Sequence, residues 1–156
     1  MTDVYKPFAG LESRLEAALV DLYEYLQTIA ETRSPTPDLL TGWDPSSELT
    51  GQSIVILAKD STAERAGLGA TGNHTITVVF SARTNATDNT GADHAALEMY
   101  MRSVLFAQNL KDMIAAYAVD LVVMAVMPTA FTRTTSGNWR ISSQSVEFYV
   151  AGVMPT

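Results

Sequence analysis

The apolar residues of this chain change period along its length, and that change leaves few folds open. From Gly10 to Ala30, GLESRLEAALVDLYEYLQTIA sets Leu11, Leu15, Leu19, Leu22, Leu26 and Ile29 three or four apart, so they line one stripe of a helix. Glu12 and Glu16 near its start suit the positive end of the helix dipole. From Ser53 the period is two. Ser53 to Ala58 is rich in Ile, Val and Leu, and His74 to Ser81 sets Ile76, Val78 and Phe80 on one face against Thr75, Thr77 and Val79 on the other. The two read as a long hairpin whose connection, Asp60 to Asn73, projects from the sheet.

The helical period returns from about Asp93 to Ala116. Leu97, Met101, Val104, Leu105, Leu110, Met113 and Ile114 cover a face wide enough to lie on a sheet, and Thr90 with Asp93 three residues on predicts a capped start. Val119 to Met127 is apolar on both sides and predicts a central strand. Ala130 to Thr134 and Arg140 to Val150 flank the turn Thr135-Ser136-Gly137-Asn138-Trp139, with Val146, Phe148 and Val150 facing one way. Between the first helix and the first strand, residues 31–53 hold Pro35, Pro37, Pro45, Gly42 and Gly51, and no regular element longer than a turn is expected there. A connection that long packs on something or meets a partner; Trp43 is its one large apolar anchor. The expected order is helix, strand, strand, helix, strand, strand. That is an α+β fold, a small, mostly antiparallel sheet covered on one face by two helices, in a single domain spanning residues 1–156 with a long irregular loop at 31–53.

Composition narrows the function. There are 156 residues, 47% of them hydrophobic, so one domain can bury a core without staples, and the absence of cysteine excludes disulfides and thiolate zinc sites. Residues 1–64 carry 11 acidic and 4 basic side chains, the entire net charge of −7, while residues 65–156 carry 6 of each. A dedicated nucleic-acid binder needs clustered Lys and Arg, so none is expected. The acidic excess reads most simply as a solvated outer face. The longest apolar run, Val119 to Met127, is interrupted by Asp120 and is far shorter than the ~20 residues of a membrane helix. Nothing near residue 1 reads as a signal peptide, so the sequons at Asn73 and Asn85 are expected to be chance.

Motifs for chemistry are sparse. Asp88, Asp93 and His94 mix carboxylate and imidazole as a metal site would, but their spacing matches no known ligand set, and Asp93 is better used as a helix cap. His74 reads as an exposed strand-end residue. The chain has no GxSxG, HExxH or GxxxxGK. Five of the seven methionines lie between Met99 and Met127 and most simply fill an adaptable core, although methionine also suits flexible interfaces. Tyr23 and Tyr25 point to opposite sides of the first helix, so one of them is free for an interface. No cofactor is expected, and the pattern favours a binding or building protein over an enzyme.

The layout resembles the tail terminator proteins of long-tailed bacteriophages. The residues that carry the resemblance are a hairpin ending in HTITVVFSAR, a polar stretch in which Asp93-His94 opens the helix ADHAALEMYMRSVLFAQNLKDMI, then LVVMAVMP and the closing TRTTSGNWRISSQSVEFYVAGV. The resemblance spans most of residues 10–152 and rests on layout more than on identities. It implies a hexameric ring that caps the head-proximal end of the tail tube, stops tube growth and joins neck or head-completion proteins, within a virion assembled in the host cytoplasm. DNA would pass through the lumen without specific binding, with the sheet towards the lumen and the helices outside. The family has no catalytic residues to carry over. By layout, the polar loop Thr84 to Ala92 and the tip Asp60 to Asn73 would meet a neighbouring subunit or the tube, making Thr84, Asn85, Asp88, Asn89 and Arg65 candidate contacts, together with Trp43 in the long loop. The nearest rivals are a neck protein or a tail tube subunit; more distant ones are a small metal-dependent enzyme using Asp88, Asp93 and His94, and a plain adaptor domain.

Overall fold

The computed structural model describes residues 11–29, 38–41, 51–65, 71–87, 90–117 and 121–153. The first helix, α1 (Leu11–Ile29), is where the leucine stripe predicts it, and Leu15, Leu19 and Leu22 are buried. Four long strands follow the period-two segments: β2 (Gln52–Arg65), β3 (Thr71–Asn85), β4 (Leu121–Ser136) and β5 (Trp139–Val153). They form one sheet with a short strand, β1 (Asp38–Thr41), in the order β1-β2-β3-β5-β4, and every neighbouring pair is antiparallel except β1 with β2.

Alternation places the core. Ile54 and Ile56 on β2, Ile76, Val78 and Phe80 on β3, and Val146, Phe148 and Val150 on β5 share one face, and directly opposite residues of paired strands point the same way. The helices pack on that face. Their buried residues, Leu15 to Tyr23 and Leu97 to Ile114, join the same cluster. The α+β class and the one-sided cover match expectation. Tyr23 completes the centre: its ring lies 6.2 Å from Phe80 and 5.8 Å from Tyr100, and its hydroxyl donates to the Met101 carbonyl at 2.9 Å.

Four elements differ from the sequence reading. The 31–53 loop is not wholly irregular: Leu39 and Leu40 pair in parallel with Ile54 and Val55, a strand too short to show a period. The second helix is two, α2 (Gly91–Leu105) and α3 (Leu110–Ala115), joined by residues 106–109. The step of five from Leu105 to Leu110 turns the stripe about 140° out of phase, so one straight helix cannot bury both ends. The Val119 to Met127 segment is not a central strand. From Leu121 on it begins β4, an edge strand among the described residues, while Val119 and Asp120 lie outside them; an apolar edge shows the same pattern because nothing in it counts neighbours. That strand also absorbs Ala130 to Thr134, through register shifts at Val123/Ala125 and Pro128/Phe131; Pro128, lacking an N–H, is tolerated on an edge at such a bulge.

Both hairpins are tighter than expected. β2 and β3 stay paired out to Arg65 and Gly72, so most of the Asp60 to Asn73 connection is strand. β4 and β5 meet through Gly137 and Asn138 alone, and Gly137 takes φ of 59°, which glycine adopts without a Cβ penalty. No helix among the described residues is long and apolar enough to cross a membrane.

Candidate docking surface and the polar network beneath it

α2 starts where Thr90 caps it. The Thr90 hydroxyl accepts from Asp93 N at 3.2 Å while the Asp93 carboxylate accepts from Thr90 N at 3.1 Å, a reciprocal capping box that commits Asp93 to the helix start. One residue on, His94 points into the sheet. From there a chain of hydrogen bonds crosses four elements: Thr84 Oγ1 of β3 lies 2.8 Å from His94 Nδ1, His94 Nε2 lies 2.8 Å from Ser142 Oγ of β5, and Ser142 Oγ donates to Glu98 Oε1 at 2.6 Å. Arg133 of β4 closes the chain with two bonds to the Glu98 carboxylate, at 2.8 and 2.6 Å.

The proton positions follow from counting. Ser142 has one hydroxyl proton and gives it to Glu98, so it can only accept from His94, which puts the imidazole proton on Nε2. Nδ1 is then an acceptor, and Thr84 donates to it. The neutral ring this requires agrees with its titration: burial lowers the His94 pKa below 6.5, with Arg140 and Arg133 adding to that and Glu98 opposing it. Glu98 moves the other way for a carboxylate in such a place. Its pKa falls to about 2, chiefly through the Arg133 hydrogen bonds, which together with Ser142 outweigh the cost of burial. Thr84 and Ser142 are fully buried and their protons are committed, so the cluster holds the sheet to α2 and offers no nucleophile to a substrate.

Above this network the surface is apolar and cationic. Arg102 lies 3.9 Å from the Phe131 ring centroid and 5.5 Å from that of Phe106, and Arg133 lies 5.6 Å from Phe131, so the aromatic rings sit under guanidinium groups. Gln144, buried, ties Arg102 Nε to the backbone of β4 and β5. A shallow groove between α2 and β4 is lined by Ala95, Glu98, Met99, Arg102, Phe106 and Arg133; a second depression shares Phe106 and continues past Lys111 to Ala125, Val126 and Pro128. Of the six large apolar side chains exposed among the described residues, Met99 at 71% and Phe106 at 56% line this groove, whereas Val122 and Met127, opposite Ala151 and Glu147, stand on the sheet face away from the helices and Met124 sits at the β4 bulge. The methionines expected in the core are divided: Met101 is buried, whereas Met99, Met124 and Met127 are at the surface.

The candidate contacts read from the sequence fall elsewhere. Thr84 is buried in the network just described. Asn85 ends β3, and its Oδ1 accepts from Thr87 N at 2.9 Å and from the Thr87 hydroxyl at 2.7 Å, an Asx turn that opens the polar loop. Arg65 ends β2 opposite Gly72. Trp43, Asp88 and Asn89 lie outside the described residues. Asp93 and His94 both carry structural hydrogen bonds, and no group of three His, Asp or Glu side chains placed to hold a metal ion occurs among the described residues. His74 is half-buried rather than exposed, its Nε2 enclosed without a partner. The groove was missed because its parts are distant in sequence; the signals available were the methionine cluster and an apolar strand with a proline at its middle.

No protein-family model and no curated protein matches this chain. Among solved structures it is similar to a chain of one described as the virion of a native gene transfer agent (GTA) particle, with a TM-score of 0.59 and 14% identity, covering 95% of this chain and 99% of that one. At that identity the likeness is one of fold.

Proposed function

We propose that this chain is a structural component of a phage-type virion, a ring-forming tail terminator that caps the head-proximal end of the tail tube, ends tube polymerisation and joins the tail to the neck. The observation that carries the reading is the fold likeness to a chain of a virion particle, which covers 95% of this chain and 99% of that one. It is strengthened by the sequence layout, in which the helix beginning Asp93-His94 and the closing hairpin through Trp139 follow the tail terminator order. Among the described residues the sheet has helices on one face and no strand beyond β4, an arrangement that leaves surface for identical copies to use. The polar loop opened by Asn85, with Asp88 and Asn89, and the hairpin end at Arg65 are our candidates for contacts with the tube or neck. DNA passes through the lumen without specific binding, and we assign the protein no catalytic role.

Electron microscopy of the purified protein, alone and mixed with its tube protein, tests this. Closed single rings that seat on one tube end and stop its growth are expected. Long hollow tubes built of this chain alone would instead make it a tube subunit, the nearest rival.

A further inference from the structure

We infer that the groove between α2 and β4 receives the outer face of α1 from a second copy of this chain, joining successive copies head to tail. The inference rests on the ring reading above and names the surfaces that meet. α1 packs over β1 and β2, whereas the groove lies at β4, so the two surfaces belong to opposite edges of one sheet. A contact between different surfaces repeats from copy to copy, which is what a ring or a filament needs.

Charge selects this pairing over the symmetric ones. α1 carries Glu12, Glu16, Asp21 and Glu24 against Arg14 alone. The groove and its continuation carry Arg102, Lys111 and Arg133 against Glu98 alone, and that carboxylate is buried and already held by Arg133. Groove on groove would set guanidinium against guanidinium, and α1 on α1 carboxylate against carboxylate. Groove on α1 sets Arg102, Lys111 and the 69% exposed Arg133 side chain facing the exposed Asp21 and Glu24. The apolar parts match as well. Tyr25 is 50% exposed on α1, its ring leaning on Tyr117 at 6.3 Å, and Met99 and Phe106 stand out on the groove rim; an aromatic residue, methionine and arginine are what contact cores favour. Tyr23, buried two residues before, cannot serve, which settles which of the two tyrosines is available.

The chain has no cysteine, so single introduced thiols report contacts without background. Two preparations, Asp21→Cys and Met99→Cys, are mixed and treated with a short bis-maleimide; because the thiols sit on different chains, only contact between copies can link them. Mixed dimers exceeding like-with-like dimers are expected, with loss of that excess when Glu24→Lys is added to the Asp21→Cys chain and its helix content is unchanged. Rings without mixed cross-links would overturn this inference and leave the ring reading standing. Mixed cross-links within open-ended tubes would support this contact and sink the terminator reading. A monomer at all concentrations, with no cross-link, would remove both.

Discussion

α2 rests on the sheet in two halves that are held in different ways. The apolar half of its contacts, Leu97, Met101 and Leu105, joins the cluster of Phe80, Phe148 and Tyr23, where rings 6.2 to 6.3 Å apart meet at tilted angles and shape is the requirement. The polar half of its contacts sets His94 and Glu98 against Thr84, Ser142 and Arg133 in one chain of hydrogen bonds. A packed apolar patch tolerates a swap that keeps its volume. A buried hydrogen-bonded chain does not, because one deletion orphans the neighbours on both sides. The polar half therefore fixes where α2 sits along the sheet, and the apolar half supplies most of the stability.

The largest effect should come from the apolar half. Phe148→Ala is expected to cost about 3 to 5 kcal/mol, while Phe148→Leu costs under about 1.5 kcal/mol, measured by urea denaturation. If the two variants lose equal amounts, volume is not what matters there and the contrast fails.

Next is acid. The Glu98 carboxyl titrates near 2 in the folded chain against an ordinary 4.5, so as pH falls below 4.5 the unfolded chain takes up the proton first. Its contribution is whole above pH 4.5 and is lost on the way down to about 2. The loss is on the order of 2 kcal/mol once the exposure of Arg133 is allowed for. His94, lowered from 6.5 by burial, acts in the same sense: its share is present above 6.5 and shrinks as pH falls below it. Glu16 opposes them, since burial raises its pKa and its contribution fades as pH rises. Glu98→Gln isolates the carboxylate. Stability of that variant should be lower at pH 7 and should vary less between pH 4.5 and 2; an unchanged slope would show that the ion pair is not holding the polar half.

The two halves were unequally legible in the sequence. Leu97, Met101 and Leu105, with Ile76, Val78 and Phe80, announce themselves by period, because burying an apolar face demands a repeat. The capping box was equally plain, since Thr90 and Asp93 act on their own backbone three residues apart. The network was not. Thr84, His94, Ser142 and Arg133 come from strands and a helix up to 58 positions apart (142 − 84), and nothing local tells a buried serine from a solvated one. His94 drew notice as a residue opening the helix and as a possible ligand, not as a member of a buried hydrogen-bond chain. The edge position of β4 was hidden for a related reason: Leu121 to Met127 has the same composition whether or not a strand lies beyond it.

The smallest effects give the sharpest contrast, since two substitutions each delete one buried hydroxyl. Thr84→Val keeps the shape but leaves His94 Nδ1 facing a methyl group, an acceptor enclosed with no donor, and should cost about 1 to 3 kcal/mol. Tyr23→Phe removes a bond to the Met101 carbonyl, which lies inside α2 and keeps its place in the helix ladder, so no group is left unpaired. Its cost should be about 0.5 to 1.5 kcal/mol. The two variants should also differ in the imidazole: nitrogen NMR should find His94 protonated on Nε2 in the parent and in Tyr23→Phe, and disturbed in Thr84→Val alone. Tyr23→Phe losing more than Thr84→Val would mean that the donor at 2.9 Å in the apolar half matters more than the chain of donors in the polar half, and the division drawn between them would be wrong.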